Sequence, residues 1–127
     1  MVQGWIDRYV EAWRSNDPDA IGALFAADAT YFTHPYRTPW SGRGEIVQGW
    51  LRERDDPSSW SAEYQAIAST GNLGVVRGET VYRHPDGSER TRYANLFVIE
   101  FEGDGTARSF TEFFMERNPP TRHPGDA

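Results

Sequence analysis

The chain changes its hydrophobic period once, and that change divides it. From Val2 to Ser15 apolar residues recur at helical spacing: Trp5, Ile6, Tyr9, Val10 and Trp13 fall on one face, with Asp7, Arg8, Glu11 and Arg14 turned to water. Asn16-Asp17-Pro18 stops this helix, because a residue before proline is pushed out of helical angles. Asp17 is then placed to cap a second helix with Pro18 at its first position. The second helix is predicted from Pro18 to Phe25 or Ala26, with Ile21, Leu24 and Phe25 inward, and a strand from Ala29 to about Thr33. Pro35 to Gly44 reads as loop. A third helix starts near Gly44-Glu45, capped around Ser41 or Gly42, with Ile46, Val47, Trp50 and Leu51 inward; Asp55-Asp56-Pro57-Ser58-Ser59 ends it.

Beyond Ser59 the period becomes two. Trp60 to Ser69, Leu73 to Arg83, Glu89 to Glu102 and Thr106 to Arg117 are predicted strands. Thr70-Gly71-Asn72, His84-Pro85-Asp86-Gly87-Ser88 and Gly103-Asp104-Gly105 separate them as turns, and the two Asp-Gly pairs argue for antiparallel hairpins. Helices gathered early and strands gathered late imply an α+β fold, with three N-terminal helices packed in the concave face of a curved, mostly antiparallel sheet. Residues 1–117 form one domain, and 118–127, with Pro119-Pro120 and Pro124-Gly125, read as a flexible tail.

Composition narrows the function. A chain of 127 residues builds one core burying roughly two-thirds of its unfolded surface. Rings make up 14% of it, so much of that core is aromatic, a composition that suits concave ligand sites as well as packing. The net charge of −6 and pI near 5.0 argue against a nucleic-acid surface. All thirteen cations are Arg, which has no physical necessity and points to coding bias. With no cysteine, disulfides, thiolate catalysis and Cys-ligated metal are excluded. No apolar run approaches the ~20 residues of a membrane span and the N-terminus has no signal layout, so a soluble cytoplasmic protein is expected.

Several motifs go further. The Arg8-Tyr9-Val10-Glu11-Ala12 helix, the Asn-Asp break, Asp19-Ala20-Ile21-Gly22-Ala23-Leu24-Phe25-Ala26-Ala27-Asp28-Ala29-Thr30 and a strand ending at His34-Pro35 resemble the start of the nuclear transport factor 2-like superfamily. Its members include SnoaL-like polyketide cyclases and ketosteroid isomerases. Ser41-Gly42-Arg43-Gly44-Glu45-Ile46, the glycine-bearing strand ending at Tyr82 and the Gly103-Asp104-Gly105 turn extend the resemblance over about Val2 to Glu116. It implies a cone-shaped α+β barrel with a deep pocket, a homodimer built through the outer face of the sheet, a small hydrophobic ligand and no cofactor. Ketosteroid isomerases use a tyrosine phenol, a protonated aspartic acid and an aspartate base. The phenol matches Tyr9. The base position falls at Thr33-His34 and the protonated acid near Phe97, so isomerase activity is not implied.

Residue chemistry supplies the candidates. Tyr9 is a donor into a cavity, or core with its hydroxyl satisfied locally. His34, held extended by Pro35, is a general base near neutrality, or a loop residue bonded to a neighbour. Phe110, Glu112, Phe114 and Glu116 share one face of the last strand; a carboxyl between two Phe is costly unless paired, and its pKa rises. Its candidate partners are Arg77, Arg92 and Asn95. Arg77 and Glu79 share a face, as do Asn95, Phe97 and Ile99, and periodicity leaves open which face of Arg77 and Glu79 is inward. Tyr36 and Trp40, on a proline-braced loop, read as ligand contacts or as packing against Trp50. His84 and His123 lack ligand spacing, so no metal is expected. The readings are acid/base chemistry by His34, Glu112 and Tyr9 on a hydrophobic substrate, a non-catalytic binding or assembly module, or an epoxide hydrolase built on Glu79, Arg77 and Glu112.

Overall fold

A computed structural model of the chain describes residues 1–117. Helix α1 spans Val2–Ser15 and ends at Asn16, whose left-handed backbone (φ 55°) lets its N–H close on Ala12 O. Asp17 caps α2 (Pro18–Gly22) by accepting from Asp19 N at 3.0 Å. Then come β1 (Phe25–Phe32), β2 (Trp40–Ser41) and α3 (Arg43–Arg52). Gly42 is the N-cap of α3, and the Glu45 carboxylate accepts the Ser41 N–H. A single 3₁₀ turn at Pro57–Ser59 leads into β3 (Trp60–Thr70), β4 (Leu73–Arg83), β5 (Glu89–Phe101) and β6 (Ala107–Glu116).

The four late strands lie within two residues of their expected bounds and form a meander. The Asp-Gly turns close as expected. Gly87 and Gly105 take φ near +90°, while Asp86 and Asp104 accept the N–H and hydroxyl of Ser88 and Thr106. Two early boundaries move. Helix α2 stops at Gly22, and Phe25 already pairs with Ala107 as the first residue of β1. The helical spacing of Ile21, Leu24 and Phe25 ran across that turn because all three are buried, and burial alone does not separate the two states. Trp40–Ser41, expected as loop, pairs with Tyr31 and Thr30.

The strand order is β2-β1-β6-β5-β4-β3, with β1 parallel to β6 and every other pair antiparallel. The expected cone-shaped barrel does not form: among the described residues β2 and β3 are the edges and the sheet stays open. Closure would need a long partner for β3, and the far edge offers two residues. The helices instead cover one face. Trp5, Ile6, Phe25, Ile46, Phe97 and Phe110 make the core between helices and sheet, each at most 1% exposed. The expected tail, 118–127, lies outside the described residues.

Candidate functional site

The inward row of the sheet runs Val76–Phe97–Glu112 across β4, β5 and β6. One step toward the open end the aromatic packing loosens and a cavity of about 350 Å³ opens. Its wall comprises Tyr9 and Trp13 of α1, Tyr64 of β3, Tyr82 of β4, and Tyr93 and Phe114 of β5 and β6. Tyr64 has room there because Gly78 faces it. A Cβ at Gly78 would collide with Glu63 O and the Tyr64 ring. A smaller lobe of about 190 Å³ adjoins, shares Tyr9, Trp13, Asp55 and Glu112, and reaches Tyr31, Trp40 and Trp50.

Glu112 is the chemical centre of the two lobes. Burial pushes its carboxyl up to about 7, a rise opposed in part by the bond from Asn95 Nδ2 to Oε2 at 3.0 Å. Behind Asn95 stands a row of bonds: Thr80 Oγ1 donates to Asn95 Oδ1 at 2.8 Å, and Tyr64 Oη lies 2.6 Å from Thr80 Oγ1. Asp55, beyond the C-terminus of α3, is the second carboxyl on the cavity. Burial raises it, while Trp13 Nε1, donating at 3.2 Å, and the Arg90 charge pull it back. Arg90 sits over the Tyr82 ring, 5.4 Å from its centroid.

Tyr9 and Tyr31 face each other, Oη to Oη 2.9 Å, both more than nine-tenths buried. Burial holds both phenols well above their ordinary range, so both keep their protons. Two hydroxyls with one bond between them leave one O–H without an acceptor among the described residues. Trp50 Nε1, also at the inner lobe, is likewise buried and unpartnered. The pair therefore offers a donor to whatever oxygen enters beside Glu112.

Structure and sequence part company over the remaining candidates. His34 lines neither lobe. It borders another hollow, of about 490 Å³, with Tyr36, Arg77, Leu96, Phe113 and Met115, which shares only Asn95 and Phe114 with the cavity. Its Nδ1 accepts the Tyr36 N–H at 3.1 Å, and its ring meets Phe114 edge-on at 5.9 Å. The expectation that His34 and Glu112 reach one void is not met. Alternation explains the separation: Arg77, Leu96 and Phe113 stand in register on the outward row, one residue out of phase with Glu112.

Arg77 and Glu79 share that outward face. Glu79 pairs with Arg92 at 3.1 Å, and Arg92 also meets Glu89 at 2.9 Å. Neither Arg77 nor Arg92 reaches Glu112, so the Glu79–Arg77–Glu112 cluster required of an epoxide hydrolase is not assembled. Of the three candidate partners, Asn95 is the one that the structure brings to Glu112. Phe97 and Phe110 stand in the core beneath the cavity, and Phe114 borders both the cavity and the outer hollow. Trp40 stacks on Tyr31 at 5.1 Å and closes the inner lobe, whereas Tyr36 is 94% exposed. Tyr31, Asp55, Tyr64 and Thr80 join the site beyond the sequence candidates. Thr80 carries the signal of alternation with Val76 and Tyr82 on β4, and Tyr64 that of alternation with Ala62 and Ala66 on β3; Asp55 carries only that of a helix end.

The open sheet, the three early helices and a cavity between them now meet a family pattern. A model of the SnoaL-like domain matches residues 6–110. The chain belongs to the SnoaL-like domain family. This agrees with the motifs around Tyr9 and Asp19–Thr30. A solved structure similar to this SnoaL-like chain is an NTF-2 like protein of unknown function from Burkholderia xenovorans LB400. It is 17% identical, with TM-score 0.68, over 98% of this chain and 88% of that one. At that identity the likeness speaks for fold alone. No functionally curated protein matches.

Proposed function

We propose that this SnoaL-like domain binds a small ring-bearing carbonyl compound and exchanges a proton with it through Glu112. The observation that carries the reading is a carboxyl raised to about 7 on a cavity of about 350 Å³ walled by rings. Such a volume lies within the roughly 300–1,000 Å³ of small-molecule sites. A base poised near neutral pH combines a useful ionised fraction with a useful proton affinity. The Tyr9–Tyr31 pair donates its spare O–H to the carbonyl oxygen, where negative charge grows as an α-proton leaves. Glu112 takes that proton and returns it; no redox partner is needed. His34 has no part in this step.

The test is deuterium uptake at the α-carbon of small cyclic ketones in D2O, with cyclohexanone and 2-tetralone as probes. Wild-type protein is expected to accelerate uptake, with a rate rising through about pH 7 as Glu112 ionises. Glu112→Gln should lose on the order of 10²–10⁴-fold. Saturable binding without any acceleration would replace the enzyme by a binding module.

The same proposal extends to a partner. Phe113 and Met115 are 41% and 75% exposed around the outer hollow, which supports a second copy of this chain packing on that face. Light scattering should give twice the monomer mass, and Phe113→Arg should return it to monomer.

A further inference from the structure

We propose that Thr80 and Tyr64 are positioning residues that act on Glu112 through Asn95, making Oε2 a fixed acceptor and leaving Oε1 to exchange the proton. The inference rests on the reading of Glu112 above.

Proton counting gives the row a direction. The Thr80 hydroxyl has one hydrogen, and it goes to Asn95 Oδ1, which has none to give. The 2.6 Å contact between Tyr64 and Thr80 therefore uses the phenol's hydrogen. Asn95 is held with its carbonyl toward Thr80, so its NH2 must face Glu112 and donate to Oε2. A flipped amide would donate from Nδ2 to Thr80 Oγ1, which requires the Thr80 and Tyr64 hydroxyls to reverse together. Thr80 and Asn95 are 2% and 5% exposed, so water does not replace either bond cheaply. Glu112 Oε1 has no hydrogen-bond partner among the described residues. One oxygen is thus spent on position and the other faces the cavity free.

Other groups facing Glu112 do not do this work. The phenols of Tyr9, Tyr31, Tyr64 and Tyr82 are all raised by burial and stay neutral. The charges on the lobes are Asp55, Glu53, Arg54 and Arg90, and none lies within ion-pair distance of Glu112. The effect of the row is accordingly separable from theirs.

The experiment is a pH titration of the ¹³C-carboxyl shift of Glu112 in the folded chain, read without any substrate. Thr80→Val keeps the shape and removes the hydroxyl. Its midpoint should move up from the wild-type value by about one unit, a tenfold gain in proton affinity, as Asn95 is freed to turn its carbonyl toward the acid. Thr80→Ser should restore the wild-type midpoint. Tyr64→Phe, which leaves the row's last two bonds intact, should move it in the same direction by less. In an Asn95→Ala background, Thr80→Val should add nothing. An unchanged midpoint in folded Thr80→Val, or an equal shift in the Asn95→Ala background, overturns the inference. If Thr80→Val does not fold, the Tyr64→Phe midpoint decides on the same terms. Ketone exchange is not part of the readout, so loss of the proposed activity and loss of this row register separately.

Discussion

Glu112 shows what a single residue reveals and conceals. Period two puts it on one face of the last strand with Phe110 and Phe114, and it is the family resemblance that turns that face inward. The identity of its partner was not fixed by period, since Arg92 and Asn95 lie on the neighbouring β5 and Arg77 one strand further, on β4. Register decides, and puts Asn95 inward and both arginines outward or at the rim. A stability consequence follows. The carboxyl rises on folding from 4.5 to about 7, so the unfolded chain releases its proton first. Its favourable contribution is complete below pH 4.5 and is lost as pH climbs through about 7. Glu112→Gln should therefore match wild type at pH 4 and exceed it at pH 8, by about 3 kcal/mol from the size of the shift, in urea denaturation. A wild type that gains stability over Glu112→Gln with rising pH would refute the assignment. At Asp55 a second effect is expected. Trp13→Phe removes the indole donor to its carboxyl, so Asp55 should titrate higher still, measurable by the same carboxyl shifts.

Among elements, the strands were legible and the turns between helix and strand were not. Hairpins announce themselves through Asp-Gly, whose special backbone angles few other pairs supply. The passage from α2 to β1 carries no such mark: Gly22-Ala23-Leu24 turns while staying apolar. Sequence also gives little notice of close approaches. Gly49 on α3 lies against the face of Trp40, and a Cβ there would overlap the indole. Gly49→Ala is expected to displace Trp40 from its stack on Tyr31, weaken near-ultraviolet circular dichroism, and cost about 1–3 kcal/mol in denaturant unfolding. Gly78 is less forgiving, because the atom it would strike first is backbone of β3. Gly78→Ala should cost more than Gly49→Ala and should separate Tyr64 from Thr80.

For the molecule as a whole, α+β class and one-sided helix packing followed from the order of the elements, and closure did not. Whether a sheet joins its two ends depends on hydrogen bonds between its first and last strands, and hydrophobic period says nothing about them. Here the edge at β2 is too short to receive β3. The site survives that correction, because its walls come from α1 and the inward row rather than from a closed ring of strands. Its depth rests on rings: Trp13 stacks on Trp60 at 3.6 Å, and Arg14 lies 4.8 Å over the Trp60 ring, bracing Trp13 in the cavity wall. Trp60→Ala should thus loosen the cavity wall, cost about 3 kcal/mol or more in stability, and weaken binding of the ketone probes without moving the pH at which Glu112 titrates.

The most direct measurement is the carboxyl titration of Glu112 in the wild-type chain, followed by ¹³C NMR and assigned with Glu112→Gln. A midpoint near 7 that moves when a ketone probe is added is the expected result. A midpoint in the ordinary carboxylate range, indifferent to the probe, would mean that Glu112 is solvated and that the cavity is not where chemistry occurs.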